Sequence, residues 1–206
     1  MRAVLLLGPT GSGKTPLGRR LAAEGWAGHR VFHFDFGAEL RTAAADKGRS
    51  AGLDAAELKI VQDSLASGAL LEDEEFPVAL KVLSAFLARH RSGPNDLLVL
   101  NGLPRHEGQA VRMESFAAIR LVVVLEAAAE VLQGRIGRDV AGDRAGRLDD
   151  TPAEVRKKLE LYERRTRPLI EYYAARGVPV LRLVVGRDDM ADDMYEALRA
   201  RLEVVS

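Results

Sequence analysis

The chain has 206 residues, of which 47% are apolar, with 30 Lys plus Arg against 30 Asp plus Glu and no cysteine. That length and apolar content suit one α/β domain with a full core and exclude wholesale disorder. The balanced charge argues against a broad nucleic-acid surface, and the missing thiols remove disulfides and thiolate metal sites, which fits a reducing compartment.

Ala3-Val4-Leu5-Leu6-Leu7 is a continuous apolar run, the pattern of a strand buried on both faces of a parallel sheet. Arg2 before it mimics a signal peptide, but the run is too short and polar residues follow at once. No stretch reaches the length needed to span a bilayer, so the chain is expected in the cytoplasm, away from membranes. The run leads into Gly8-Pro9-Thr10-Gly11-Ser12-Gly13-Lys14-Thr15, which fits G-x-x-x-x-G-K-[ST] at every fixed position, and Leu17, Arg20 and Leu21 then begin a helical spacing. Gly8, Gly11 and Gly13 let the backbone turn successive N–H groups inward around anionic oxygens, with Ser12 inside the same loop. The helix adds the partial positive charge of its N-terminus. Lys14 is placed to reach terminal phosphates, and the Thr15 hydroxyl to complete the coordination of Mg²⁺.

Val31-Phe32-His33-Phe34 is a second strand, ending at Asp35-Phe36-Gly37. Helices are predicted over Glu39 to Ala45, Leu53 to Leu65 and Glu74 to Arg89, making about 36–72 a helical insertion after strand two. Asp96 to Asn101 is a third strand, ending in Gly102-Leu103-Pro104-Arg105, and Ile119 to Leu125 a fourth. A helix from Ala127 to about Gly134 leads into Arg135 to Asp150, a stretch dense in Gly, Arg and Asp. A long helix begins at Thr151-Pro152, with Thr151 as N-cap and Glu154 completing a capping box. Val178 to Val185 is a fifth strand, and Asp188 to Leu202 a closing amphipathic helix.

Strands alternating with helices imply an α/β fold: a five-stranded parallel sheet with helices on both faces, in one domain. Ligands of such sheets bind at the carboxyl ends of the strands. Those ends carry Gly8 to Thr15, Asp35, Asn101 to Arg105 and the Arg135–Arg147 segment. Phosphoryl transfer needs two substrates held in line and positive charge around the transferring oxygens. Arginines arrive accordingly from several elements: Arg41, Arg105, Arg135, Arg138 and Arg147, whereas Arg144 reads as an ordinary loop arginine. His29, His33, His90 and His106 lack metal-ligand spacing, and Arg164, Arg165 and Arg167 read as a solvated helix face.

Several stretches together resemble the adenylate kinase family of nucleoside monophosphate kinases, in its short-lid type. They are the phosphate loop, Gly37-Ala38-Glu39-Leu40-Arg41, Gly68 to Glu74, Asn101-Gly102-Leu103-Pro104-Arg105 with Gln109-Ala110, and Arg147-Leu148-Asp149-Asp150 with the helix through Tyr173. The resemblance implies a P-loop kinase architecture with a monophosphate-binding insertion and a short lid at about 135–147. It implies transfer of the γ-phosphoryl of ATP to AMP with Mg²⁺, by a monomer acting on small molecules. Gly8 to Thr15 would bind the ATP phosphates, Arg135 would lie over the ATP base, and Arg147 would clamp phosphates, with Lys14, Arg105, Arg138 and Lys158 as the charges around the reacting group. Phe36, Arg41, Leu71, Gly102, Arg105 and Gln109 would meet the acceptor, and Thr15, Asp35 and Asn101 the metal.

Four positions depart from the family pattern. Asn101 and Ala38 stand where aspartates are usual, Lys158 where an arginine is usual, and Phe36 where a threonine is usual. Asp35, at the end of strand two, is expected to supply the charge that Asn101 lacks. Phe36 keeps open a kinase for another small acceptor, and the departures together keep open a nucleotide-binding protein with little or no catalysis.

Overall fold

The computed structural model describes residues 1–26, 28–140 and 151–203. The expectations on Arg144, Arg147, Asp149 and Asp150 lie outside the described residues. Strands β1 (Arg2–Leu7), β2 (Val31–Asp35), β3 (Leu97–Asn101), β4 (Ala118–Glu126) and β5 (Val180–Val184) form one all-parallel sheet in the order β2-β3-β1-β4-β5. The inner strands β1, β3 and β4 carry long buried apolar runs because helices cover both faces, whereas the edge strands β2 and β5 are only partly buried and include His33 and Arg182. Along β1, Leu5 and Leu7 join one apolar core while Val4 and Leu6 join the other.

The first core is closed by α2 (Phe36–Ala45), α3 (Ala55–Ser67), α4 (Phe76–Arg89), α5 (Glu107–Met113) and the C-terminal α8 (Leu169–Ala174). The second is closed by α1 (Lys14–Glu24) and α9 (Ala191–Glu203), through Leu17, Leu21, Met194 and Leu198. Crossover helices on both sides leave the carboxyl ends of the strands open. The cleft lies there.

Several elements differ from the sequence-based expectation. Helix α2 starts at Phe36 rather than Glu39, because the Asp35 carboxylate caps it by accepting the Ala38 N–H at 3.0 Å. The seven-residue α5 was not anticipated; its buried face is Gln109, Ala110 and Met113. Helix α6 (Ala129–Arg138) runs one turn past Gly134, so Arg135 and Arg138 sit on a helix and not in a loop. Glycine weakens a helix, but burial of Leu132 and Arg135 outweighs that preference. The predicted long helix is broken: α7 (Pro152–Leu161) passes through a π-helical turn, Tyr162–Thr166, before α8. Pro168 has no N–H to continue the ladder. The reciprocal Thr151–Glu154 capping box is present at the start of α7.

Candidate active site

The phosphate loop starts where β1 ends. Gly8, Gly11 and Gly13 have φ of 151°, 84° and 94°, backbone that only glycine adopts freely. At Gly8 a Cβ would also lie 2.7 Å from the Leu125 carbonyl oxygen. Ser12 is fully buried beneath the loop and its hydroxyl has no partner among the described residues, so its side chain does not line the cleft. The Lys14 ammonium donates to the Gly8 and Pro9 carbonyls at 2.6 and 2.8 Å, which folds its side chain back along the loop.

Sheet register sets the next group. Asn101 ends β3 between Leu6 of β1 and Asp35 of β2, so the two polar residues are neighbours at the carboxyl edge. The Thr15 hydroxyl donates to Asp35 Oδ2 at 2.6 Å. The Asn101 amide donates to the same Oδ2 and to Thr15 Oγ1, each at 3.0 Å. Thr15, Asp35 and Asn101 therefore form one hydrogen-bonded cluster, and its hydroxyl, carboxylate and amide oxygens suit a hard cation such as Mg²⁺.

On the far side of the cleft, Arg105 is held at three backbone and side-chain atoms. Its N–H donates to Gln109 Oε1 at 2.8 Å, its carbonyl accepts the Thr166 hydroxyl at 2.9 Å, and its Nε lies 3.4 Å from Thr166 Oγ1. Burial lowers the pKa of the guanidinium, yet an arginine remains a cation. Among the described residues no carboxylate pairs with it, which for a desolvated cation marks the place of a missing anion. Gln109, fully buried, also donates to the Leu71 carbonyl at 2.7 Å, and the same carbonyl faces His106 Nε2 at 3.1 Å. Gln109 is thus a strut between the insertion's end and the β3–α5 loop. Gly102 (φ 87°) brings the chain against Phe36, where a Cβ would sit 3.5 Å from the Phe36 Cβ. Phe36 itself stacks toward Phe34, ring centroids 5.9 Å apart, and Arg41 projects from α2 with its guanidinium exposed.

Arg135 differs from the expectation of an open-loop arginine. It is 3% exposed, and its N–H edge donates to three carbonyls: Gly11 at 3.1 Å, Gly186 at 2.9 Å and Asp189 at 2.8 Å. It ties the phosphate loop to the β5–α9 connection. Arg138, expected beside the reacting group, is not in the cleft. Its guanidinium is exposed and pairs with Asp188 at 2.9 Å, nearly one turn further along α6 than Arg135. Arg165, expected on a solvated face, instead makes a two-point contact with Glu72 at 2.7 and 3.1 Å.

One cleft brings together Gly8, Gly11, Gly13, Lys14, Thr15, Asp35, Phe36, Arg41, Leu71, Asn101, Gly102, Arg105, Gln109, Arg135 and Lys158. Among the described residues five cations face it, Lys14, Arg41, Arg105, Arg135 and Lys158, against a single carboxylate, Asp35. That local excess stands in a chain whose total charge is zero. Tyr162 and Thr166 line it too; from the sequence they are expected on the long helix and not in the site, although Lys158, Tyr162 and Thr166 recur every four residues, the spacing of one helix face.

A phosphate loop opening onto a cationic cleft, at the carboxyl edge of a doubly covered parallel sheet, defines the class: a phosphate-loop nucleotide-binding protein. The curated relatives narrow it. The adenylate kinase of Deinococcus radiodurans is 32% identical over 185 residues, covering 85% of each chain. That of Stenotrophomonas maltophilia strain K279a is 34% identical over 180 residues, 84% of this chain and 86% of the relative. That of Nitrobacter winogradskyi is 29% identical over 206 residues, 95% of this chain and 92% of the relative. No family model matches the chain. The chain belongs to the adenylate kinase family.

Proposed function

We propose that this protein transfers the γ-phosphoryl group of ATP to AMP. The observation that carries the reading is that, among the described residues, five cations and one carboxylate face the cleft and half-buried Arg105 has no anionic partner. A neutral or cationic ligand would leave that charge uncompensated; two nucleotides, meeting phosphate to phosphate, neutralise it.

In this reading the loop N–H groups of Gly8 to Lys14 bind the ATP phosphates, and Lys14 leaves the Gly8 and Pro9 carbonyls to meet them. Arg135, whose N–H edge is engaged with carbonyls, meets the ATP base by its face. Arg41 and Arg105 hold the acceptor's monophosphate, with Phe36, Leu71, Gly102 and Gln109 around its base. A phosphate oxygen of AMP attacks the γ-phosphorus in line, the bond to the β-phosphate oxygen breaks, and ADP forms on both sides. Lys14, Arg105 and Lys158 stabilise charge on the transferring oxygens, and Arg147 joins them by family resemblance. Arg138 is given no part. Thr15, Asp35 and Asn101 are the residues that would hold Mg²⁺, which when bound neutralises phosphate charge.

The insertion at about 36–72 and the lid at about 135–147 close over the substrates and exclude water. Among the described residues no helix is long and apolar enough to cross a membrane. The reading extends to a monomer in the cytoplasm; the cysteine-free sequence fits a reducing compartment.

The test is a coupled ADP-release assay with AMP, CMP, UMP, GMP and a non-nucleotide acceptor. Turnover is expected to be fastest with AMP. Binding of ATP in calorimetry with no acceptor-dependent turnover would overturn the proposal. Phe36 beside the acceptor favours, as a second reading, another acceptor base, which the same screen would reveal as a different preferred nucleotide.

A further inference from the structure

Among the described residues, no carboxylate fixes the direction of the Arg105 guanidinium in the cleft, and one polar side chain from another element bonds it, Thr166. The Thr166 hydroxyl has one hydrogen, and that hydrogen is donated to the Arg105 carbonyl at 2.9 Å. Its lone pairs are left to face Arg105 Nε, 3.4 Å away. One hydroxyl therefore touches the backbone and the side chain of the same arginine. Thr166 is only 4% exposed, so no bulk water competes for these bonds.

How Thr166 comes to be there is also visible. It ends the π-helical turn Tyr162–Thr166, closed by the Arg167 N–H bonding to the Tyr162 carbonyl at 2.8 Å. A π turn inserts one residue into a helix, and each residue turns the direction of side chains by about 100°. Such a turn forfeits regular helical bonding and recurs where a side chain must be re-aimed. Here it aims Thr166 at Arg105 while Arg165, its neighbour, meets Glu72.

We infer that Thr166 is a positioning residue: it fixes the Arg105 guanidinium in the orientation that receives the acceptor's phosphate. The inference rests on the phosphate-binding role proposed above for Arg105. Arginine binds phosphate by a planar fork whose direction matters, so an arginine free to swing loses most of its advantage over a point charge. Thr166 acts on the substrate only through Arg105 and is not itself a catalytic residue.

The experiment compares Thr166→Val, which keeps the shape and removes the hydroxyl, with Thr166→Ser, which keeps the hydroxyl. AMP turnover, both KM values and thermal unfolding are measured for each, with Arg105→Lys alongside. Thr166→Val is expected to lose about tenfold in kcat/KM for the acceptor, with the KM for ATP unchanged. Thr166→Ser is expected to stay within about twofold of the parent. A purely structural hydroxyl would lower the unfolding temperature of Thr166→Val and leave the acceptor's constants alone; that result overturns the inference. Thr166→Ala supplies the same comparison if valine at 166 does not fold. Loss in Arg105→Lys with unchanged Thr166→Val sinks this inference only. An Arg105→Lys enzyme equal to the parent sinks the role of Arg105 and the inference together.

Discussion

Asp35 and Asn101 illustrate how little sequence distance says about chemical distance. They are 66 residues apart, yet strand register sets them side by side with Thr15 bridging them. Asp35 places a carboxylate one strand over from the uncharged Asn101. If the site needs one carboxylate and tolerates either strand, the two side chains can be exchanged. Asp35→Asn should keep the cap on α2, since asparagine caps as well as aspartate, while removing the charge. Turnover with Mg²⁺ is expected to fall about a hundredfold, and ATP affinity in calorimetry should cease to depend on Mg²⁺. Adding Asn101→Asp to that variant should recover most of both. A double variant as poor as the single one would mean that the carboxylate's position, and not merely its charge, is fixed.

At the scale of elements, α1 can lie as close to β2 as it does only because residue 18 is glycine. A Cβ there would sit 2.2 Å from the His33 ring. Burial pushes the pKa of that ring down to about 4, so near neutral pH it packs as an uncharged group. Gly18→Ala ought to gain about 1 kcal/mol of helix propensity, and a net loss of about 1–2 kcal/mol is expected because overpacking outweighs it. In a His33→Ala background the loss should shrink, and denaturant unfolding of the four-member cycle checks the coupling. Equal losses in both backgrounds would place the clash elsewhere. The same contrast between local and tertiary forces explains what could be read from the chain. Strands β1, β3 and β4 were legible because burial on both faces writes a long apolar run, and the edge strands β2 and β5 because β-branched, aromatic and other apolar residues dominate them even where His33 and Arg182 interrupt. The start of α7 was legible because Thr151, Pro152 and Glu154 are a local signal. The reach of α6 through Gly134 and Gly137 was not, since it depends on Arg135 meeting carbonyls about 50 and 124 residues away in sequence. In the site, the phosphate loop is a contiguous motif and could be read outright. Arg138 pairs with Asp188 outside the cleft, and from the sequence Thr166 is legible only as part of the long helix, because tertiary contacts and, at Thr166, a π turn decide which way a side chain points.

Across the whole molecule, charge is segregated and not scarce. Thirty cationic and thirty anionic residues cancel, while among the described residues the cleft keeps five against one. Many other pairs are surface contacts between exposed partners, such as Lys59 with Asp63 and Arg138 with Asp188. Exposed pairs contribute about 0–1 kcal/mol each and are screened by salt, so they decide little about folding. A concave site lined by one sign of charge is another matter, because its field concentrates anions and its low-dielectric walls keep that field from being dissipated. Salt should therefore separate binding from stability. Raising KCl from about 0.05 M to about 0.5 M shortens the screening length from about 14 Å to about 4 Å. The KM values for ATP and for AMP are expected to rise several-fold over that range, while the unfolding temperature in the same buffers moves by no more than a few degrees. Flat KM values would mean that the cleft recognises its substrates through their bases and shape, and that its excess of cations serves only the transfer step. A large drop in unfolding temperature would instead assign the surface pairs a share of stability that their exposure argues against.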